Sequence, residues 1–146
     1  MSEQAGLLRD EYLFLLGQYE AFDGKALTIK SWSSPLLGGG IVLAVDKASV
    51  GIALATAVVA TTLWILEAIW KNFQFCYRDR IELLERWFRS EIAEAPAPFQ
   101  VHAAWQASVH RFTRNPLIFV TLLLRPFVLL PYLPILAAAV AVMVLV

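Results

Sequence analysis

The chain has 146 residues, of which 59% are hydrophobic and only 16% are charged, and its 12 basic residues balance its 12 acidic ones. Globular domains carry about 25% charged residues, and the apolar residues here come in blocks, so the composition predicts an integral membrane protein. The balanced charge excludes a strong general attraction to nucleic acid, and a single cysteine, Cys76, excludes an intrachain disulfide and a cysteine metal cluster.

Residues 1–24 are predicted to form an amphipathic cytosolic helix. The helix covers residues 7–22, and Asp23-Gly24 ends it. Its apolar residues recur at spacings of four and three, which places them on one face. They are Leu8, Tyr12, Leu15, Tyr19 and Phe22. The segment is too short and too polar to cross a bilayer, so it should pack on a partner helix or lie at the membrane surface.

Residues 25–70 are predicted to form a transmembrane hairpin, with spans at about 27–45 and 48–70 and a tight turn at Asp46-Lys47. Each apolar block is long enough to cross a bilayer core of about 30 Å. The first block contains Gly38, Gly39 and Gly40, which weaken a helix but allow another backbone to approach closely.

The second span is expected to continue as one helix into the cytosol. The stretch from Ile52 to Ala95 contains neither proline nor glycine, and it would form a helix of about 66 Å. Residues 71–115 are therefore predicted to be a cytosolic helical region. In it we expect ion pairs from Glu82 to Arg86 and from Glu85 to Arg89, and a further amphipathic helix over 99–113.

Residues 116–146 are predicted to hold an interfacial segment, 117–124, and a third span at about 127–146. Arg125-Pro126 separates the two, and Pro131 and Pro134 fall in the first turns of the span, where helix breaks are best tolerated. A broken pair of half-spans is the alternative. The expected fold is thus an all-α membrane protein with three transmembrane helices and a cytosolic layer of amphipathic helices.

The basic residues set the expected orientation. Eleven of them precede the first span or lie between the second and the third, whereas only Lys47 lies in the short turn. By the positive-inside rule, the N-terminus and residues 71–115 face the cytoplasm of a bacterial inner membrane, and the C-terminus faces out.

Two charges lie well inside the apolar blocks, Lys30 and Glu67. They are 17 and 20 residues from Lys47, so in antiparallel helices they lie within about one turn of the same depth. A charge at the centre of a span costs at least about 2.5–3.5 kcal/mol, which pairing would reduce. We expect a gate or ion-path pair at the cytosolic mouth. The alternative is snorkelling at the interface with a structural ion pair.

Small and hydroxyl-bearing residues of the hairpin could line a pore. They are Thr56, Thr61 and Thr62 with Gly38, Gly39 and Gly40. The alternative, which the small residues favour, is ordinary close packing of helices. Because three spans cannot enclose a water path alone, the pore hypothesis requires a homo-oligomer, with a tetramer as the working stoichiometry.

Six arginines of the cytosolic region are candidate contacts for a nucleotide or single-stranded nucleic acid, with Trp87, Trp105, His102 and His110 as stacking partners. The arginines are Arg78, Arg80, Arg86, Arg89, Arg111 and Arg114. The alternatives are the positive-inside bias, helix-surface ion pairs and contacts with anionic lipid head groups, because residues 71–115 carry a net charge of only about +2.

No motif of an enzyme is found. The sequence has no HExxH, no GxSxG and no Gly-rich phosphate loop. His102 and His110 are eight residues apart, which excludes an i,i+4 metal pair. We therefore expect no catalytic residue, metal or cofactor.

The run Asp23-Gly-Lys-Ala-Leu-Thr-Ile-Lys-Ser-Trp32 resembles the D-x-K-A-L-T-I-K-x-W block of small bacterial membrane proteins of about this length. In them the block leads into the first span, a second span ends in a run like Trp64-Ile-Leu-Glu-Ala-Ile-Trp70, and a proline-containing span like 130–135 closes the chain. Related proteins resemble antiphage effectors, such as the membrane component of Hailong-type systems, which are paired with a nucleotidyltransferase whose nucleic-acid product controls a pore.

The resemblance therefore implies channel formation. Together with the residues above, it predicts an oligomeric channel or pore-forming effector gated by a cytosolic ligand or partner. The alternative is a non-conducting membrane anchor that docks a cytosolic partner on the 71–115 helices.

Overall fold

The computed structural model describes residues 3–146, and among these residues it is 83% helical and contains no strand. The all-α prediction is confirmed for this range. Seven helices follow one another: α1 Glu3–Asp46, α2 Val50–Phe75, α3 Arg78–Phe88, α4 Val101–Arg114, α5 Pro116–Leu123, α6 Pro126–Leu129 and α7 Leu133–Leu145.

Helix α1 runs without interruption from the charged N-terminal segment through the first apolar block. The predicted end of the helix at Asp23-Gly24 is therefore wrong. One glycine inside a helix costs only about 1 kcal/mol, and the helix is supported on both sides of Gly24 by packing on α2 and α3. Asp23 itself pairs with Lys71 of α2.

Pro35 lies inside α1 and removes one backbone hydrogen bond there. The bond that is lost would have joined the N–H of residue 35 to the carbonyl of Ser31. The hydroxyls of Ser33 and Ser34 both donate to the neighbouring carbonyl of Lys30. The helix nevertheless continues through Pro35.

In these two contacts the distance from Oγ to the Lys30 carbonyl oxygen is 3.2 Å for Ser33 and 2.9 Å for Ser34. Helix α1 forms one rod of 44 residues, about 66 Å long. It is therefore α1, and not the second apolar helix, that links the two ends of the molecule without a break.

The predicted continuous helix over Ile52–Ala95 is wrong. Helix α2 ends at Phe75, a turn follows at Cys76 and Tyr77, and α3 covers Arg78–Phe88. The N–H of Tyr77 donates to the Gln74 carbonyl three residues back, which tightens the last turn of α2.

Helix α3 then ends in a Schellman motif. Ser90 takes a left-handed conformation with φ 60°, and the N–H of Glu91 donates to the Arg86 carbonyl at 2.9 Å. These bonds satisfy the last carbonyls of the helix, so the chain leaves it well before Ala95.

The apolar hairpin, which we define as residues 27–46 of α1 and 50–70 of α2, is joined by a short turn. Ala48 takes φ 45° there, and the Ser49 hydroxyl caps α2 by accepting from the N–H of Ile52 at 3.4 Å. Helix α7 packs against both arms. Its Val142 contacts Ala44 and Ala53 near the turn, so the C-terminal end of α7 lies at the turn end of the hairpin.

The charged layer, which we define as residues 3–24 of α1 with α3 and α4, lies at the opposite end of the hairpin. The expected partner of the N-terminal apolar stripe is found here, because Leu8 and Leu15 of α1 form one buried cluster with Ile81 and Leu84 of α3. Complete burial of one such side chain contributes about 1.5–3 kcal/mol. Helix α4, predicted over 99–113, covers Val101–Arg114.

The C-terminal segment differs from the predicted single helix over 127–146. It is divided into α6 and α7 by a turn around Pro131, and the 13 residues of α7 extend only about 20 Å. A second proline, Pro134, begins α7, where its missing N–H costs nothing. The predicted interfacial segment 117–124 is helix α5, and its Leu122 packs on Ala68 of α2.

One helical stretch of residues 3–146, Val50–Phe88, is long and apolar enough to cross a membrane, with a mean hydropathy of 2.0 and only 28% of its most apolar window buried. Helix α7 is apolar but shorter. Three spans therefore remain a prediction.

Candidate functional site

A polar network lies where the apolar hairpin meets the charged layer. The ammonium of Lys30 lies 2.8 Å from Oε1 of Glu67, and the hydroxyl of Tyr132 donates to Oε2 of the same carboxylate at 2.9 Å. Lys30 Nζ also donates to the carbonyl of Phe127 at 2.9 Å. Three side chains thus connect α1, α2 and the segment that leads into α7.

Burial in this network is uneven. The side chain of Glu67 is 2% exposed and Tyr132 is fully buried, whereas the side chain of Lys30 is 25% exposed. Lys30 Nζ lies outside hydrogen-bonding alignment with Oε1, so this buried oxygen accepts no hydrogen bond. The carboxylate is held by one aligned hydrogen bond and one ion contact, which leaves part of its bonding capacity unused.

The network has a defined depth in the hairpin. Glu67 follows the cap residue Ser49 by 18 positions in one helix, which corresponds to about 27 Å. This length is close to the thickness of a bilayer core, about 30 Å. The apolar hairpin therefore lies on one side of the network and the charged layer on the other.

The predicted pairing of Lys30 with Glu67 is confirmed, while its role as a gate stays a prediction. Tyr132 was not predicted as a member of the site. Its one signal in the sequence is a hydroxyl-bearing residue between Pro131 and Pro134 in an apolar tail, and its pairing with Glu67 depends on how that tail folds back.

A second buried ion pair lies in the charged layer. Arg80 meets Glu11 through two contacts, from Nε to Oε1 at 2.8 Å and from Nη2 to Oε2 at 3.1 Å. The same guanidinium donates to the carbonyl of Ala97 at 2.7 Å, and the carboxylate accepts from the N–H of Phe99 at 2.9 Å. Glu11 is 4% exposed and Arg80 is 6% exposed.

This pair, which we call the Glu11–Arg80 clamp, joins α1, α3 and the loop before α4. The prediction that Arg80 contacts a ligand is wrong, because its side chain is buried and Nε and Nη2 are engaged by the protein. Glu11 was not among the predicted site residues. No local pattern identifies the pair, since its members are 69 residues apart.

The other candidate arginines are exposed and, with one exception, paired. Arg111 contacts Asp79 at 3.0 Å, and Arg78 contacts Glu82 at 3.4 Å. The predicted pairs of Arg86 with Glu82 and of Arg89 with Glu85 are wrong.

Both of those arginines reach Glu91 instead, at 3.5 and 2.9 Å, because the turn after α3 brings Glu91 back over the helix end. Glu85 accepts from the hydroxyl of Tyr12. Among residues 3–146, no carboxylate lies within ion-pairing distance of Arg114. Paired surface arginines of this kind contribute little to stability.

The aromatic candidates for stacking are partly occupied by the protein itself. The ring of Trp105 lies 5.8 Å from that of Phe73, and its Nε1 donates to the Phe73 carbonyl. Trp87 makes an edge contact with Phe88 at 4.9 Å. His102 and His110 are exposed on α4. Of these candidates, His110 and Arg114 are four residues apart on α4 and both exposed, so they share a face, whereas Trp105 is engaged by Phe73.

The candidate pore-lining residues fall into two groups. Gly40 lies against Thr56 within the hairpin, and a Cβ added at Gly40 would lie 2.5 Å from the threonine Oγ1. These two residues are part of the packing inside one chain. Gly38 and Gly39 have no such neighbour within 4 Å.

Thr61 is half-buried and Thr62 is exposed. The hydroxyls of the three threonines all donate to the carbonyl four residues back in α2, each at 2.9 Å. Such internal bonds let a threonine face an apolar environment without an unsatisfied donor.

The joint between the two ends contains a further ion pair. Lys71 contacts Asp23 and donates to Gln74 at 2.8 Å, and the amide of Gln74 donates to the carbonyl of Tyr19. The hydrogen bond from Lys71 lowers the pKa of Asp23 below its ordinary value. Next to this joint, burial raises the pKa of the Cys76 thiol to about 11, so the thiol is unreactive at neutral pH.

Within residues 3–146, no three His, Cys, Asp or Glu side chains converge to hold a metal ion. No protein-family model matches the chain, and no curated protein or solved structure is significantly similar to it.

Proposed function

We propose that this chain is an integral membrane protein whose copies assemble into a channel, with the Lys30–Glu67–Tyr132 network as the latch that keeps it closed. In this proposal the charged layer and the N-terminus face the cytoplasm of a bacterial inner membrane, and the turn at 47–49 faces out. The apolar hairpin and the α6–α7 segment are the membrane-embedded part.

The exposed apolar surface of the hairpin supports the membrane location. Large side chains such as Leu36, Val42, Val58 and Leu66 are 44–69% exposed. Soluble monomers rarely expose contiguous apolar patches larger than a few hundred Å². Lipid or neighbouring copies would cover this surface, and its length of about 27 Å suits a bilayer core.

The observation that carries the channel proposal is the position and incomplete satisfaction of the network. A buried carboxylate, a partly exposed ammonium and a tyrosine hydroxyl lie together at the boundary between the apolar hairpin and the charged layer. An ionisable group at this depth is a functional candidate by default, because its burial is costly. Helix α1 carries Lys30 and extends unbroken to the Glu11–Arg80 clamp, so movement of the charged layer would act on the latch directly.

Ion flux in liposomes tests the channel. Purified protein is reconstituted at several protein-to-lipid ratios into vesicles that contain a fluorescent ion indicator. Wild-type protein should give a measurable leak, and Glu67→Ala should increase it by about tenfold, because loss of about 1.4 kcal/mol from the closed state shifts the equilibrium by that factor.

Glu82→Ala is the matched control, since it removes an exposed carboxylate of α3 and should leave the leak unchanged. Vesicles that stay tight at every protein level, for wild type and Glu67→Ala alike, would rule out the channel.

A specific surface supports the second candidate function, a non-conducting anchor for a cytosolic partner. Leu13, Phe14 and Phe99 of the charged layer are 52, 55 and 72% exposed. Exposed aromatic and aliphatic residues are typical anchors of protein interfaces. Tight vesicles together with loss of partner capture in a Phe14→Ser variant would favour the anchor over the channel.

The nature of the gating ligand remains part of the proposal. A nucleotide or single-stranded nucleic acid, as the family resemblance implies, would have to use the exposed arginines, since Arg80 is enclosed in its clamp. If such a ligand binds, the affinity for an oligonucleotide should fall as salt is raised.

A further inference from the structure

A cleft of about 350 Å³ lies where α2, α3, α4 and α5 meet. Its walls carry Arg78, Arg111 and Arg125, which come from three separate segments of the chain. Its floor is apolar and includes Phe75, Phe112 and Leu122. The cleft is distinct from the Lys30–Glu67–Tyr132 network and plays no part in the latch.

The cations of this cleft outnumber its anions. Two carboxylates, those of Asp79 and Glu82, line it, and each is paired with one arginine. Arg125 has no carboxylate within ion-pairing distance among residues 3–146. The cleft therefore keeps one uncompensated guanidinium.

Two of the guanidiniums converge on one aromatic ring. The guanidinium carbons of Arg78 and Arg125 each lie 5.5 Å from the centre of the Phe75 ring. The ring attracts each of them, but two cations held at one ring repel each other. An anion with several acceptor oxygens would relieve this repulsion, because arginine forks bind phosphate through paired, charge-assisted hydrogen bonds.

The apolar floor restricts the ligand further. Small inorganic anions would leave the half-buried Phe75 and Phe112 uncovered, whereas a phosphate that is attached to an apolar body covers both the guanidiniums and the aromatic rings. From these observations we infer that the cleft binds a phosphate group carried on an apolar body, and that in the membrane this ligand is an anionic phospholipid.

The position of the cleft favours a lipid as the source of the phosphate. This part of the inference rests on the proposed membrane location. Phe75 follows Trp70 by five residues of one helix, or about 7–8 Å, which is the depth of the head groups outside a bilayer core. Helix α5 beside it exposes Leu117 and Val120 by 73 and 47%, and the residue after it, Leu124, is 59% exposed, so these side chains can enter the inner leaflet. That leaflet is also the one rich in anionic lipids.

Thermal unfolding of the full chain in detergent tests the site. Dioctanoyl phosphatidylglycerol is titrated against dioctanoyl phosphatidylcholine, and the shift in melting temperature is followed by tryptophan fluorescence. The anionic lipid should raise the melting temperature with a saturable dose dependence, and the zwitterionic lipid should raise it less.

Variants locate the effect in the cleft. Arg125→Gln should weaken the apparent affinity for the anionic lipid by about tenfold, since one charge-assisted hydrogen bond is lost. Arg114→Gln, an exposed arginine of α4 outside the cleft, is the matched control and should bind like wild type. Arg125→Lys keeps the charge without the fork and should lie between the two, which preserves the test if Arg125→Gln proves unstable.

Soluble phosphates distinguish the two sources. If AMP raises the melting temperature through Arg125 and the anionic lipid does not, the phosphate site stands and its lipid assignment is overturned. If the two lipids raise the melting temperature equally, the inference is overturned altogether. It is also overturned if Arg125→Gln binds the anionic lipid as tightly as wild type and the Arg114→Gln control do. Because Arg125 lies outside the latch, Arg125→Gln should keep the wild-type ion leak. The lipid experiment can therefore fail while the channel proposal stands, and the reverse.

Discussion

The two buried ion pairs found among residues 3–146 differ in how completely they are satisfied. In the Glu11–Arg80 clamp, both carboxylate oxygens contact the guanidinium, and backbone groups of the following loop complete the site. In the Lys30–Glu67 pair, one carboxylate oxygen accepts no hydrogen bond and the ammonium is partly exposed. A complete set of partners fixes one arrangement, whereas an incomplete set leaves room for a second one.

This difference corresponds to the places of the two pairs. The clamp lies inside the charged layer, where it fixes α3 and the loop before α4 on the N-terminal part of α1. The Lys30–Glu67 pair lies at the boundary with the apolar hairpin, where a change in helix packing would alter its contacts. We therefore expect the clamp to determine stability and the Lys30–Glu67 pair to determine conformation.

The largest expected effect is that of breaking the clamp. Arg80→Ala leaves the carboxylate of Glu11 buried without its cation, and this should lower the free energy of unfolding by about 3–5 kcal/mol. Denaturant unfolding in detergent, followed by tryptophan fluorescence, measures the loss.

Arg89→Ala is the matched control, because the side chain of Arg89 is 59% exposed and its pair with Glu91 contributes little. If the Arg80→Ala and Arg89→Ala variants have the same free energy of unfolding, the clamp does not stabilise the fold.

A smaller effect is expected from the second pair. Lys30→Met should lower the free energy of unfolding by about 2–3 kcal/mol, since Glu67 loses its cation but keeps the hydrogen bond from Tyr132. The triple variant Lys30→Met/Glu67→Leu/Tyr132→Phe should regain most of this loss, because it replaces the ion pair with apolar residues and also removes the buried hydroxyl that would otherwise lose its acceptor.

The corresponding double variant of the clamp, Glu11→Leu/Arg80→Met, should not recover, because the N–H of Phe99 and the carbonyl of Ala97 would lose their partners. Equal recovery of stability at both pairs would remove the distinction between them.

The smallest effect concerns the packing that holds the hairpin closed. Gly40→Ala places a methyl group 2.5 Å from Oγ1 of Thr56, and we expect a net loss of about 1–2 kcal/mol after the gain in helix propensity. Thr56→Ala in the same chain should restore stability by removing the clashing atoms.

Gly39→Ala is the control, since no atom lies within 4 Å of its added Cβ, and it should stabilise α1 by about 0.5–1 kcal/mol. A Gly40→Ala variant as stable as Gly39→Ala would mean that the two arms do not approach closely at this point.

The amino-acid sequence alone determined the features that depend on neighbouring residues. The blocks of apolar and charged residues predict the division into a hairpin and a charged layer, and the spacing of Leu8 and Leu15 predicts the face that packs on α3. The pairing of Lys30 with Glu67 also followed from the sequence, because a tight turn fixes the register of two antiparallel helices.

The tertiary structure decided the features that depend on distant residues. Contacts with α2 and α3 support α1 through Gly24, and α1 also continues through Pro35, although local rules end a helix at such positions. The clamp joins residues 69 positions apart, and Tyr132 reaches Glu67 only because the proline-divided tail folds back on the hairpin. Spacing along the chain reports which residues share a helix face, but it does not report which faces meet.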